Sequence, residues 1–527
     1  MWIMKIKYLC VGLILFFNFS EIPAQSGNLI PAKIDGNNIS TIYYQDGSFN
    51  NNLFTGNSEF EWPKGSGKYA RYLSGLLIGA VVSNDTLIAI VDYGGGEYLP
   101  GYTSDNGQPI GNGDPVYRIY KLKNGILDSN RILWPNSLLL NSNQGAPVHF
   151  NTMSGMWEAN DYGNQTMFFR MTDSYPESHF PNPWGTAPLK ADVKCINFTF
   201  HTNDALDNVI YSHYEIINRS TNIWRNTFFT FFSDDDANDL VGHVGCNTLI
   251  NLGYSYSRLN PPYTTNGPAV GFKIIRGANY FTGNSNDSLL FYEGKNKKKK
   301  AGYRSKGMYS FNFFFDDGPS NYKIVYISME GKFFWTGNPI ITPEGDTTRY
   351  FYSGDPETNI GWVMSGAAYR RTYTTTGPVN VNPGDTQHIV IAQVIAQGVN
   401  NLNGVTKLKE ASIIAEQNYN NFFEGVPINV KNISSVVLDK FSLQQNYPNP
   451  FNPSTLIRFE IPKKSFVTLK LFDITGREIA SLIDQDLNSG VYEYTFSAGK
   501  YNLSSGIYYY MIKADNFVQS RKMVLIK

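Results

Sequence analysis

The chain has 527 residues, enough for two to four domains of ordinary size. Aromatic residues make up 15% and charged residues only 17%, and Asn, Gly and Ser separate short aromatic runs, a composition typical of a β-rich extracellular protein. The 44 basic and 44 acidic residues balance, which argues against a nucleic-acid-binding protein, since such proteins carry a basic excess.

The first 24 residues have the pattern of a secretion signal. Lys5 and Lys7 precede an apolar stretch, residues 8–19, that is too short to cross a membrane as a helix. The small residue Ala24 then predicts cleavage just before Gln25. Since no later segment approaches the length of an apolar span, we expect a mature chain without a transmembrane segment.

Residues 25–430 are predicted to form a β-rich extracellular body, as one large β-sandwich or as two sub-domains. Short apolar and aromatic runs between turn residues predict its strands. These runs are residues 75–80, 87–91, 116–120, 196–201, 210–217, 227–232, 309–315, 323–328 and 388–396. Over residues 402–423 the apolar positions instead recur at three- and four-residue steps, which predicts one amphipathic helix that Gly425 and Pro427 end.

An acidic stretch within the body is the candidate metal site. Asp234, Asp236 and Asn238 offer oxygen ligands at the spacing of the first half of a calcium loop. The pattern is not an EF-hand, because Asp239 stands at its sixth position and Gly245 at its twelfth. The predicted site is therefore a loop site of another geometry, formed by Asp234, Asp236, Asn238 and Asp239. Calcium bound there would relieve the repulsion between the acidic side chains. A solvated acidic turn is the alternative, and both interpretations stay open.

No catalytic residue and no cofactor other than calcium is predicted. The histidines form no close metal motif; they are His149, His179, His201, His213, His243 and His388. His201 and His213 lie in strand-like runs and are expected to be packed or surface imidazoles. The chain has no GxSxG elbow, and no P-loop or GxGxxG follows a strand. Glycosidase carboxylates need not be close in sequence, but loop roles are the simpler expectation for Asp316, Asp317 and Glu357.

Two further features of the body concern cysteines and lysines. The mature chain keeps Cys195 and Cys246, which form either one disulfide or two separate buried thiols, and both outcomes stay open. The basic run at residues 295–300 lies among Gly and Asn and is predicted to be a solvated loop tip.

The body also resembles a known group of proteins. Segments such as SGLLIGAVVSND, PVYRIYKL and FFSDDDANDLVGHVGCNTLINLGYSYS are similar to those of recurrent, uncharacterised secreted proteins of Bacteroidetes and Ignavibacteria. The resemblance implies an exported context and assigns no reaction.

A linker is predicted over residues 431–440, and the character of the chain changes after it. Pro448, Pro450 and Pro453 exclude helix and favour extended backbone at the preceding residues. Alternating apolar positions then predict about seven short strands over residues 441–527, with Gly476 supplying positive φ in a hairpin turn. The fold class predicted for the chain is therefore mainly β: a large β-sandwich body with one helix near its end, followed by a small Ig-like β-sandwich.

The run NYPNPFNPST, followed by IRFEIP, LKLFDITGRE, SGVYEYTF, LSSGIYYYMI and SRKMVLIK, resembles the type A C-terminal sorting domain of the type IX secretion system. The motif positions are Asn446, Tyr447, Pro448, Asn449, Pro450, Phe451, Asn452, Pro453, Gly476 and Lys522. The resemblance implies passage through the periplasm to the cell surface or the medium. It also implies two partners, the secretion machinery with its sortase-like peptidase, and surface lipopolysaccharide as an anchor.

These observations predict a secreted or cell-surface protein whose body has a structural or binding role. The alternative is a secreted hydrolase, a glycosidase or peptidase, delivered by the same tail. A deep cleft holding two carboxylates about 5–10 Å apart would favour the hydrolase. A surface with only shallow grooves would favour the binding role.

Overall fold

The computed structural model describes residues 29–91, 96–124, 126–151, 154–179, 185–202, 204–235, 242–257, 263, 266–293, 296–314, 321–366, 371–422, 430–434, 440–463, 465–487, 489–501 and 503–526. The predicted secretion signal lies outside these residues. The described chain is mainly β, as predicted, with antiparallel sheets and few helices.

Fourteen strands build the two large sheets of the body. In chain order they are Leu73–Val82 (β1), Asp85–Ala89 (β2), Leu99–Pro100 (β3), Tyr120–Lys123 (β4), Gln165–Thr172 (β5), Ala191–Thr199 (β6), Val209–Asn218 (β7), Trp224–Asp234 (β8), Gly242–Asn247 (β9), Leu252–Ser257 (β10), Ala269–Arg276 (β11), Met308–Phe314 (β12), Arg371–Val381 (β13) and Thr386–Ala396 (β14). One sheet has nine strands in the order β4-β5-β6-β7-β14-β11-β10-β9, with β3 paired to β5, and the other has five in the order β12-β13-β8-β1-β2.

Smaller antiparallel pairs decorate this framework. They are Ala32–Ile34 with Thr41–Tyr43, Asn51–Asn52 with Asn57–Ser58, Tyr102–Thr103 with Pro109–Ile110, Val148–Asn151 with Met156–Ala159, Asn279–Phe281 with Tyr303–Ser305, Ser288–Glu293 with Asn296–Ala301, and Ile340–Ile341 with Thr347–Thr348. The α-helices are Ser129–Ile132 (α1), Pro176–His179 (α2), Tyr322–Met329 (α3) and Asn401–Phe422 (α4).

The two large sheets face each other across one shared core. Phe229 and Phe231 of the five-stranded sheet meet Tyr214, Phe272 and Ile391 of the nine-stranded sheet in the same buried cluster. Stacking two sheets buries the inner face of each. The two large sheets of the described body therefore pack as a sandwich.

Helix α4 covers the outer face of the nine-stranded sheet. Val405, Leu408 and Ala415 are fully buried and pack with Tyr211 and Val390 of that face. Their spacing of three and seven residues places them on one side of a helix, which is the pattern that predicted it. Burying such a stripe stabilises the helix more than its intrinsic propensity does.

Helix α3 covers the outer face of the five-stranded sheet, where a strand was predicted. The strand predicted for residues 323–328 is wrong. It was predicted because the β-branched residues of this run favour extended structure locally. Asn321 caps the helix by accepting a hydrogen bond from the backbone N of Ile324 at 3.2 Å. Met329 is buried against Gly79, where a Cβ would lie only 2.7 Å from its Sδ. Packing against the outer face of the sheet therefore stabilises this segment as a helix.

Two other local predictions are also corrected. At residues 116–120, Pro115–Tyr117 forms a 3-10 turn capped by Asp114, and the strand begins only at Tyr120. The described part of the basic run, residues 296–300, lies in a strand rather than a loop tip, because Asn296–Ala301 pairs along its length with Ser288–Glu293. Lys295 lies outside the described residues.

The tail is a second, smaller sandwich. Its strands are Val430–Ser434 (β15), Ser442–Leu443 (β16), Ser454–Ile461 (β17), Ser465–Phe472 (β18), Glu478–Leu487 (β19), Gly490–Ser497 (β20), Gly506–Ala514 (β21) and Phe517–Leu525 (β22). They form two four-stranded sheets, β15-β20-β17-β16 and β19-β18-β21-β22. Seven strands fall within residues 441–527, and the eighth, β15, comes from the segment around the predicted linker.

Candidate functional site

The proline-rich segment of the tail is fixed at its start by Asn446. The Asn446 side-chain amide donates to the carbonyl of Pro448 at 3.1 Å and to Oγ1 of Thr455 at 3.0 Å. Its backbone N donates to Oη of Tyr510 at 2.7 Å. Oγ1 of Thr455 also donates to the carbonyl of Pro448 at 2.8 Å, so Asn446, Pro448 and Thr455 form one hydrogen-bond network around the buried side chains of Asn446 and Thr455.

Further along, the same segment is clamped to strand β22. The backbone N of Phe451 donates to the carbonyl of Val524 at 2.9 Å, and Ile526 donates back to the carbonyl of Phe451 at 3.0 Å. Oδ1 of Asn449 accepts from the backbone N of Val524 at 2.9 Å. The buried ring of Phe451 packs edge-on against Phe496, 5.8 Å between centroids. The motif therefore joins two parts of the tail that are distant in sequence.

The other predicted motif positions face solvent or shape a turn. Gly476 has φ +81° in the turn after β18, where a side chain would be strained. The side-chain amide of Asn449 donates to the carbonyl of Lys522 at 3.2 Å, while the Lys522 side chain is exposed. The remaining exposed positions are Tyr447, Pro448, Pro450, Asn452 and Pro453.

The acidic stretch is described only at its beginning. Oδ2 of Asp234 lies 3.5 Å from Nε of Arg371, and Oδ1 of Asp235 lies 2.8 Å from Nε of Arg71. Asp236, Asn238 and Asp239 lie outside the described residues, so the calcium site stays a prediction. Arginine already balances the charge of the first two carboxylates.

A polar cluster that the sequence did not indicate lies on the outer face of the nine-stranded sheet. His213 and Glu215 are two residues apart on β7 and therefore point to the same side. Glu215 pairs directly with His388 of β14 and with Lys194 of β6. Tyr211, on the same face of β7, is covered by helix α4, so the cluster continues that face beyond the helix.

The functional atoms of this cluster are close together. Nε2 of His213 lies 3.4 Å from Nδ1 of His388. One ring nitrogen of each histidine and one carboxylate oxygen of Glu215 all lie within 4.8 Å of one another. Nζ of Lys194 donates to Oε2 of Glu215 at 3.1 Å. The ring of Phe291 stacks on His388 with a centroid distance of 4.2 Å. His213, Glu215 and His388 are the group of described residues that is able to hold a metal ion.

Burial and charge set the protonation states of the cluster. Burial lowers the pKa of His388 to about 4, outweighing the Glu215 carboxylate, which acts in the opposite direction. Burial likewise lowers the pKa of His213. For Glu215, burial raises the pKa, but Lys194, His213 and His388 together outweigh burial and lower the pKa to about 2. Near neutral pH the cluster thus presents neutral imidazoles beside an ionised carboxylate.

A second histidine cluster is closed to solvent. Nδ1 of His179 lies 3.4 Å from Oε1 of Glu97, and its Nε2–H donates to the carbonyl of Asp173 at 2.7 Å. The three side chains are only 0–3% exposed. Burial lowers the pKa of His179, but Glu97 and Asp173 together outweigh it and raise the pKa to about 8. No substrate reaches these carboxylates in this conformation.

The remaining positions from the sequence analysis are two cysteines and three carboxylates. Cys195 and Cys246 are both buried free thiols. Oε1 of Glu357 accepts a hydrogen bond from Asn403 of α4 at 2.9 Å. Asp316 and Asp317 lie outside the described residues.

Residues 445–527 match the secretion system C-terminal sorting domain. The match confirms the predicted sorting domain and supports its assignment to type IX secretion. The sorting domain directs export, to the cell surface or out of the cell. Among the described residues, no helix combines the length and apolar character needed to span a membrane.

Comparisons of the whole chain add little about the body. No curated protein matches it. A polysaccharide lyase structure aligns at 6% identity with a TM-score of 0.21, over 64% of this chain and 34% of the lyase, so the chain spans about a third of that protein's length. The adhesin domain of Epf from Streptococcus pyogenes aligns at 7% identity with a TM-score of 0.13, over 64% of this chain and 93% of that domain. Neither likeness defines the fold of the body.

Proposed function

We propose that this protein is cargo of a type IX secretion system and that its body has a structural or binding role outside the cell. The observation that carries the first part is the sorting domain over residues 445–527, in which the Phe451 backbone and the Asn449 side chain clamp the motif to β22. The partners are the secretion machinery and its sortase-like peptidase, which removes the tail after the outer membrane is crossed. The body is then held on surface lipopolysaccharide or released.

Deleting residues 438–527 tests the sorting role. We expect the truncated body to accumulate in the periplasm, as measured by fractionation and immunoblotting. The matched control is Lys463→Ala, because that side chain is 69% exposed in the tail and its loss leaves the core untouched. Arrival of the truncated protein at the surface or in the medium would contradict the proposal.

The fate of the tail is tested by mass. Intact mass spectrometry of the surface form should show a chain that lacks the sorting domain, and a lipopolysaccharide-linked form should migrate as a ladder on gels. A surface protein that keeps its whole tail would refute the peptidase step.

The binding role is favoured over the hydrolase by the state of the body's carboxylates. Glu97 and Asp173 flank one histidine, but both are buried and cannot meet a polymer. Glu357 is engaged with helix α4. A screen of the full chain against glycans and peptides, scored for binding and for cleavage, separates the two roles. Cleavage at any ligand would favour the hydrolase.

A further inference from the structure

We propose that His213, Glu215 and His388 form a binding site for a zinc-like divalent metal ion, with the fourth position open to water. Two imidazoles and one carboxylate are a ligand set that zinc accepts in three-ligand sites. This site is independent of the sorting role. It also differs from the predicted calcium site, because calcium prefers ligand sets made of oxygen atoms alone.

The spacing of the imidazoles supports a shared ion. With Zn–N bonds of about 2.0–2.1 Å and tetrahedral angles, two ligand nitrogens lie about 3.4 Å apart. Nε2 of His213 and Nδ1 of His388 are 3.4 Å apart. That separation is longer than the range of about 2.7–3.2 Å for a good hydrogen bond from N–H. The two nitrogens therefore fit a common metal better than they fit each other.

The backbone holds the ligands in place before any ion arrives. Strands β7 and β14 are central neighbours in the nine-stranded sheet, and their register sets Glu215 opposite His388. His213 is only 2% exposed, and Phe291 stacks on the ring of His388. Sites on rigid strands keep their ligands oriented better than sites on loops. The Glu215 carboxylate supplies the third ligand atom, and the three ligand atoms already lie within 4.8 Å of one another.

Lys194 is the group that opposes the ion. Its ammonium bonds to Oε2 of Glu215 at 3.1 Å and occupies the carboxylate when no metal is bound. The Glu215 and Lys194 side chains are 15% and 19% exposed, so an ion has access from this side. Removing the ammonium should therefore strengthen metal binding, whereas removing an imidazole should weaken it.

The test is a zinc titration of the full chain with a chromophoric competitor. We expect one ion per chain and a loss of at least about 10–100-fold in affinity in His388→Gln, since even outer partners of metal ligands cost that much. Lys194→Met should bind zinc more tightly. The matched control is His201→Gln, because His201 is 55% exposed and already has an acidic partner, Asp207, at 3.0 Å. Zinc affinity should be unchanged in that variant.

The outcomes are decisive either way. Absence of zinc binding, unchanged affinity in His388→Gln, or an equal loss in His201→Gln would overturn the site. X-ray absorption at the zinc edge on the unmodified chain covers the case in which His388→Gln fails to fold. Two imidazole nitrogens in that spectrum support the proposal, and a spectrum without imidazole refutes it.

Discussion

The body and the tail are both antiparallel sandwiches, but they bury different kinds of side chain. Among the tail residues that the structure describes, the buried polar side chains are Asn446, Thr455 and Ser465, all uncharged. The body buries charged ones, including Arg71, Glu97, Arg170, Asp173, His179, Asp192 and Lys273. An apolar core tolerates local change as long as volume is kept, whereas a buried ion depends on one partner. The stability of the tail therefore depends on its apolar core and on the hydrogen bonds of its motif. The stability of the body depends more on single buried charged residues.

The largest effect on the body should come from breaking one of its buried ion pairs. Arg71→Met leaves the Asp235 carboxylate buried without its guanidinium, and we expect a loss of about 3–5 kcal/mol in the free energy of unfolding. All tryptophans lie outside residues 441–527, so tryptophan fluorescence during denaturation reports on the body.

The control for that change is the exposed pair of the tail, Lys463 with Asp515. Lys463→Met should cost at most about 1 kcal/mol in tail stability, measured by hydrogen exchange of the tail amides, because water and salt screen such pairs. Equal costs in the two variants would erase the contrast between the regions.

The tail should instead be sensitive to loss of apolar volume. Phe451→Ala removes a ring that is 2% exposed, and we expect a cost of about 3–5 kcal/mol in tail stability. Tyr447→Ala removes a ring that is 79% exposed and should change stability by less than about 0.5 kcal/mol. Hydrogen exchange of the β17 and β22 amides measures both. Similar exchange in the two variants would show that the clamp does not depend on the Phe451 ring.

The closed histidine cluster should make body stability depend on pH. His179 has a folded-state pKa of about 8, above an unfolded value of about 6.5, so it stabilises the fold below pH about 6.5 and this contribution is lost as pH rises through about 8. The shift corresponds to about 2 kcal/mol. Denaturation across this window should show the fall in the parent chain and in His201→Gln, and its absence in His179→Gln. A fall of the same size in His179→Gln would assign it to other groups.

The smallest effect is expected at the predicted calcium site of Asp234, Asp236, Asn238 and Asp239. At about ten times the dissociation constant, calcium would add about 1.4 kcal/mol to stability. Thermal melting with calcium and with a chelator measures this contribution. An unchanged melting temperature would exclude the site.

Local pattern explains what could be predicted and what could not. Helix α4 and the turn at Gly476 follow from residues that are neighbours in sequence, and the sorting motif is largely contiguous. Helix α3 was missed because residues 323–328 favour a strand when considered alone. The Asn321 cap and packing against the five-stranded sheet stabilise them as a helix.

The cluster of His213, Glu215 and His388 could not be predicted from the sequence for another reason. His213 and His388 are 175 residues apart, and only the register of β7 and β14 brings them together. The local signal that was available is a histidine and a carboxylate two residues apart on a predicted strand, which places both on one face.

The position of β14 has a consequence for the order of events during folding. This strand lies between β7 and β11, so it joins two halves of the nine-stranded sheet that otherwise share no strand. Similarly, β13 lies between β12 and β8 in the other sheet. Strands β13 and β14 each come later in the chain than the two strands they pair with. Forming such long-range pairs is slow. Neither large sheet is therefore complete until residues 371–396 have joined it.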